Sequence, residues 1–160
     1  MGTVGYEQDF YAWTREQAKL LRRAQKDRLN VPLDFGHLAE EIEALGNEQR
    51  FAVESQLERI LEHLLKLEYS PAEQPRPGWR RTVRQARGEI ERRLTPSIRR
   101  AVARRLPRLY ERARLNAIDA LTQYGEEAAA RELPERCPYT LSDLLDDDWW
   151  PVRRPERPAR

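Results

Sequence analysis

LAEEIEALGNEQRFAVESQLERILEHLLKLEY, residues 38–69, is the stretch that decides the fold. Leu38, Ile42, Leu45, Gln49, Val53, Leu57, Ile60, Leu64 and Leu67 recur every three or four residues, which is one stripe of an amphipathic helix. Phe51, Leu61 and Leu65 broaden it. Glu40, Glu43, Glu54, Glu58 and Glu62 form a carboxylate ladder on the other side. Asp34 supplies the N-cap, and the pattern runs to Leu67–Tyr69, a helix of roughly 50 Å at 1.5 Å per residue. Gly46 interrupts it at a cost of about 1 kcal/mol relative to alanine, which a close helix crossing or a local bend would offset.

Working outward, Tyr6, Phe10, Trp13, Gln17, Leu20, Leu21 and Ala24 predict a preceding helix over about Tyr6–Arg28, broken by Asn30 and Pro32. Ser70–Gly78 holds three prolines and a glycine and reads as a loop. A third helix then carries Trp79, Val83, Ala86, Ile90 and Leu94 on one face. The fourth, capped by Thr95 with Pro96 at its first position, presents Ile98, Val102, Leu106, Leu109, Tyr110, Ala113, Ala117, Leu121 and Tyr124. Pro107 should kink or split it, and Gly125 ends it. A short helix near Glu126–Leu133, an extended Leu133–Tyr139 and a turn or two capped by Thr140 complete the pattern, with no convincing strand. The expected fold is all-α: an antiparallel four-helix bundle with one long central helix and a short helical and extended C-terminal segment. One domain spans residues 1–152, and residues 153–160 form a basic, proline-rich disordered tail.

At 160 residues the chain suits one domain with a real core. No apolar run reaches the roughly 18 residues of a membrane span, so no membrane partner is expected. The N-terminus lacks the pattern of a secretory signal, and the single cysteine fits a reducing compartment, so the expected location is cytoplasmic. The net charge of +2 conceals segregation. Residues 34–75 hold ten acidic and three basic groups. Residues 76–114 hold three acidic groups and fourteen basic ones, all arginine.

These residues together resemble a bacterial family catalogued as domain of unknown function twenty-nine. The resemblance is carried by Asp9–Phe10 through Trp13, Gln17–Ala18, Leu21–Arg22, the 38–69 stretch with its EEIEALG and EHLLK blocks, Gly78–Trp79–Arg80, Pro96–Ser97, Tyr110 with Ala113–Arg114, and CPYTLSDLLDDDWWP at Cys137–Pro151. It implies an all-α bundle in a bacterial, cytoplasmic protein. It brings no activity, cofactor or catalytic residue with it.

Three site readings follow from the residues. The arginines of the third and fourth helices, with Arg80, Arg84, Arg87, Arg100, Arg104 and Arg108 as the leading set, could track a phosphate backbone or an acidic partner. Pairing with the acidic second helix inside the bundle is the favoured alternative, and it places Trp79 in the core. His37 has Glu41 one turn on and Asp34 three residues before it. His63 sits about 39 Å further along the same helix and is read as a hydrogen-bonded core histidine. Cys137–Pro138 reads as a turn. No metal site, cofactor or catalytic set is assigned. Trp149 and Trp150 are an apolar knob that either folds back onto the bundle or docks on a partner, since tryptophan favours interface centres. A Leu, Ile and Val stripe on an overhanging second helix needs a cover, so a homodimer is expected, alongside an unidentified protein partner. The function expected is a non-enzymatic protein-interaction module, with nucleic-acid binding through residues 76–114 as the alternative.

Overall fold

The structure, a computed structural model, describes residues 3–154. Every regular element among them is helical: α1 (Phe10–Lys26), α2 (Phe35–Tyr69), α3 (Arg76–Arg93), α4 (Pro96–Gln123), α5 (Glu127–Glu132) and α6 (Leu141–Leu145). The all-α expectation holds. α4 is not divided at Pro107. α3 begins inside the expected loop, with Pro77 in its first turn, where a missing N–H costs nothing. Residues 155–160, most of the expected basic tail, lie outside the described residues. The chain forms two compact units, one of residues up to Val53 with Arg93–Val102, the other of Glu54–Arg92 with Ala103 onward.

In the first unit Asp9 caps α1, its Oδ1 accepting from Ala12 N–H at 3.0 Å. The same carboxylate accepts from the Ser97 N–H at 2.8 Å and the Ser97 hydroxyl at 2.6 Å. Burial works against the charge on Asp9. The donors from Ser97 and Ala12 together outweigh it and hold the carboxyl below its ordinary range. α4 starts as its sequence requires, Thr95 Oγ1 accepting from Ile98 N–H at 3.2 Å.

The core of this unit is not the one the stripe predicts. On α1 the buried residues are Tyr11, Thr14 and Ala18, whereas Tyr6 and Leu20 are about half exposed, at 53% and 48%. On the first half of α2 they are Ala39, Gly46, Arg50 and Val53, while Leu38 and Leu45 stand at 39% and 52% and Phe51 is also exposed. The physical reason is close packing of small residues. A Cβ on Gly46 would lie 2.0 Å from Thr14 Oγ1 and 3.1 Å from Thr14 Cβ, and one on Gly36 would lie 3.0 Å from the Gln25 amide. As the contacts advance along α2 they retreat along α1, so the two helices pass in opposite directions. Thr14 is held in place by donating to the Tyr11 carbonyl at 2.8 Å.

In the second unit the expected stripe is the core. Leu57, Ile60, Leu61, Leu64, Leu65 and Leu67 of α2 are buried, with Val83, Ala86 and Ile90 of α3 and Leu109, Tyr110, Ala113, Ala117 and Leu121 of α4. Each large aliphatic side chain contributes roughly 1.5–3 kcal/mol. Trp79 is only half buried and Tyr124 is 79% exposed, so neither is core as the stripe predicts. α4 ends because Gly125 adopts φ +76°. The Glu126 and Gly125 N–H groups then turn back to Leu121 and Thr122 at 2.8 and 3.0 Å.

Gly46→Ala should destabilise the protein by about 1–3 kcal/mol, although alanine is the better helix former. In a Thr14→Ala background the loss should shrink, read as the coupling in a urea-unfolding double-mutant cycle. Equal losses in both backgrounds would show that the seam does not depend on this pair.

Candidate functional site

Three of the sequence-derived arginines, Arg80, Arg84 and Arg87, meet the two tryptophans in the second unit, between α3 and the C-terminal segment. Thr140 caps α6 through a reciprocal pair: its Oγ1 accepts from Asp143 N–H at 3.1 Å, and its own N–H donates to Asp143 Oδ2 at 2.9 Å. Tyr139 donates to Glu68 Oε2 at 2.5 Å and meets Trp149 edge to face at 5.6 Å. Burial first, and the Glu68 carboxylate second, push the Tyr139 phenol well above its ordinary pKa, so it stays a donor.

Arg87 anchors this segment. Its Nε donates to the Leu144 carbonyl at 2.9 Å and its Nη2 to those of Asp143 and Trp149 at 3.2 and 3.0 Å. The side chain is buried, and desolvation lowers its pKa, yet a guanidinium keeps its proton at any ordinary pH. Trp150 lies against the same cluster, its ring 4.7 Å from the Arg80 guanidinium carbon, 5.0 Å from that of Arg87 and 5.5 Å from that of Arg84. Beyond Pro151, Arg153 pairs with Glu73 and donates to the Pro71 carbonyl at 2.8 Å. The Arg154 N–H donates to the Glu68 carbonyl at 2.9 Å.

Of the six arginines singled out, Arg80, Arg84 and Arg87 are thus brought together, whereas Arg100, Arg104 and Arg108 are exposed on α4 and take no part. Charge pairing between the acidic helix and the arginine run appears at Arg105–Glu54 and Arg112–Glu58, at 3.3 and 3.4 Å. The partly exposed arginines keep such pairs to about 0–1 kcal/mol each. Arg76, Arg80, Arg81 and Arg84 line a groove of about 410 Å³ with Glu73 and Pro77. Arg76 is already spent on the Leu67 and Ser70 carbonyls, at 2.5 and 3.3 Å.

A second hollow, about 550 Å³, is lined by Lys66, Trp79, Tyr124 and Glu126 among others. Lys66 is buried, 3.1 Å from Glu62 and 5.4 Å over the Trp79 ring. Sequence reasoning passed over Lys66. The signal was its place between Leu64, Leu65 and Leu67, where α2 is buried nearly all round. Arg87 also carried a signal: at 100° per residue it falls about 40° from Val83, at the edge of the apolar face of α3.

The remaining candidates stay apart. His37 is exposed, 2.6 Å from Asp34 Oδ2, and that hydrogen bond raises its pKa. His63 is half buried, bonds the Arg59 carbonyl at 2.8 Å, and burial lowers its pKa. Cys137 donates to the Tyr139 carbonyl at 3.3 Å, and burial raises its thiol pKa, the opposite of activation. Among the described residues no three His, Cys, Asp or Glu side chains gather to ligate an ion. No helix among them is long and apolar enough to cross a membrane.

The fold and this anchored C-terminal segment define an all-helical protein whose class is shared with known chains. The family model described as domain of unknown function DUF29 matches residues 5–150, and the chain belongs to that family. A crystal structure of an alpha-helical protein of unknown function from Rhodospirillum rubrum is similar to it throughout, at 26% identity and a TM-score of 0.81, over 92% of this chain and 93% of that one. None of the curated proteins matches.

Arg87→Met should leave the carbonyls of Asp143, Leu144, Asp147 and Trp149 without this donor and cost about 3 kcal/mol or more. Arg87→Lys should share most of the loss, because one ammonium cannot span the fork. The check is limited chymotrypsin digestion, with cleavage around Tyr139 and Trp149 at least about tenfold faster than in the wild type. Equal resistance would show that the segment is anchored elsewhere.

Proposed function

We propose that this protein is a non-enzymatic protein-interaction module, a single helical domain over residues 1–152 that works by presenting helix faces. One observation carries the reading. Of twelve exposed large apolar side chains among the described residues, nine lie between Val4 and Phe51. Scattered exposed leucines are ordinary, but a concentration in α1, the first half of α2 and the segments before and between them supports a surface that a partner covers. In cells of its own organism, chemical cross-linking of the tagged protein should give adducts mapping to residues 4–53. Leu38→Glu with Leu45→Glu should abolish them while helicity stays unchanged, since both positions are exposed. Adducts that are absent, or indifferent to these substitutions, would remove the reading.

A second reading, nucleic-acid binding, is favoured by one feature. Arg80, Arg81 and Arg84 form no ion pair among the described residues, and Glu73, the carboxylate in their groove, is held by Arg153. Three such arginines on a single-stranded oligonucleotide should give a log–log salt slope of about −2 in fluorescence anisotropy. A slope near zero would remove the nucleic-acid reading.

A further inference from the structure

The first turns of α3 gather positive charge where a helix tolerates it least. Arg76, Arg80 and Arg84 follow one another at one-turn steps, and at 100° per residue Arg81 lies about 60° beyond Arg84. Like charges at this spacing repel, and basic groups near a helix N-terminus meet the positive end of its dipole. No acidic residue stands in the first turn of α3 to offset them. Burial first, and then the charges of Arg153 and Arg80, press the Arg76 pKa down against the pull of Glu73.

Glu73 is the one carboxylate among the described residues that line the 410 Å³ groove, and Arg153 holds it in an ion pair. Arg76 is spent on backbone carbonyls. Arg80, Arg81 and Arg84 are left, and none of them donates a hydrogen bond or forms an ion pair among the described residues. Two of the three are nonetheless held in place. Arg80 and Arg84 lie over the Trp150 ring, and a ring contact orients a guanidinium without neutralising it. Trp150 in turn follows Trp149, whose carbonyl is tied to Arg87. These cationic forks are ordered before a ligand arrives, which lowers the entropic cost of binding one.

A guanidinium fork matches phosphate oxygens in bidentate geometry, and three free forks within residues 80–84 suit several such oxygens close together. A nucleic-acid strand presents one charge per phosphodiester and gains from a track that continues. The exposed Arg104 and Arg108 of α4 do not line this groove, so the track is short. A phosphate chain with a free end carries close to two charges on its terminal group at neutral pH, and so concentrates charge on the scale of the groove, about 6 Å from Arg80 to Arg84.

We propose that the groove is a polyphosphate-binding site, with Arg80, Arg81 and Arg84 holding the phosphate chain and Trp150 positioning Arg80 and Arg84. The chain is recognised whether it is inorganic or carried by a nucleoside. The site is independent of the interaction reading and shares only its arginines with the nucleic-acid reading.

Isothermal titration calorimetry of the full chain with inorganic tripolyphosphate, at about 50 mM salt, is the test. Binding should be one to one, with a dissociation constant of roughly 10–100 μM. Arg81→Ala with Arg84→Ala, both exposed, should weaken it at least about tenfold. Arg104→Ala with Arg108→Ala removes the same charge from α4 and should change it less than about twofold. Trp150→Leu should weaken it at least about threefold, and Trp150→Phe should keep wild-type affinity because a phenyl ring still offers its face to both guanidiniums. Metal-free adenosine triphosphate should bind within about threefold of tripolyphosphate if the chain alone is read, and about tenfold or more tightly if the nucleoside form is the ligand. No binding at about 1 mM tripolyphosphate, or equal losses from the α3 and α4 pairs, would overturn the site. Trp150→Leu with wild-type affinity would remove the positioning role. Tripolyphosphate binding beside a flat oligonucleotide salt slope keeps the site and removes the nucleic-acid reading, and the converse removes the site alone.

Discussion

The approach of α1 to α2 at Thr14 and Gly46 is the constraint on which the N-terminal unit depends. Only a residue without a Cβ fits where the Thr14 hydroxyl lies 2.0 Å from the place a Cβ would occupy. That fit determines which meridian of each helix is buried. Once Thr14, Ala18, Ala39 and Gly46 form the seam, the larger apolar residues nearby are turned out of it by the geometry of the helix alone. A glycine in mid-helix costs about 1 kcal/mol, and the compensating gain is the dispersion contact of the Thr14 and Tyr11 side chains with the bare backbone of Gly46.

This constraint explains why the sequence pattern was informative for one half of α2 and misleading for the other. From Val53 to Leu67 the large aliphatic residues and the buried meridian coincide, so periodicity alone locates the core. From Leu38 to Gln49 the helix carries two candidate faces about 80° apart, one large and apolar, the other small. Hydropathy scores favour leucine over alanine and glycine, so the stripe reading picks the exposed face. Gly46 was the contrary signal, a poor helix former that makes sense only at a close crossing. Most caps were legible: Asp34, Thr95, Thr140 and Gly125 each act locally, through bonds to backbone groups within a few residues, whereas Asp9, which caps α1, falls inside the helix expected from Tyr6.

The site was less legible than the fold, and the reason is that arginines look alike in sequence. Arg87 and Arg84 differ by three residues, yet one is buried beneath carbonyls of the C-terminal segment and the other flanks the Trp150 ring. Which arginine receives those carbonyls depends on where residues 140–150 return, a long-range fact that no local pattern encodes. The segment's direct acceptors for Arg87 are carbonyls, while the charges of Asp147 and Asp146 favour the guanidinium from further away, so the acidic run points to an arginine without saying which one. A guanidinium suits the task because its planar fork reaches several carbonyls at once and cannot lose its proton when desolvated.

The two units also handle apolar surface differently, and the contrast bears on function. In the second, Tyr139, Trp149 and Trp150 are brought against α2 and α3 by a segment whose polar groups are satisfied within the chain, so its aromatic surface is largely used. In the first, leucine at positions 38 and 45 contributes little to the fold, since a side chain half in water keeps only part of its transfer free energy.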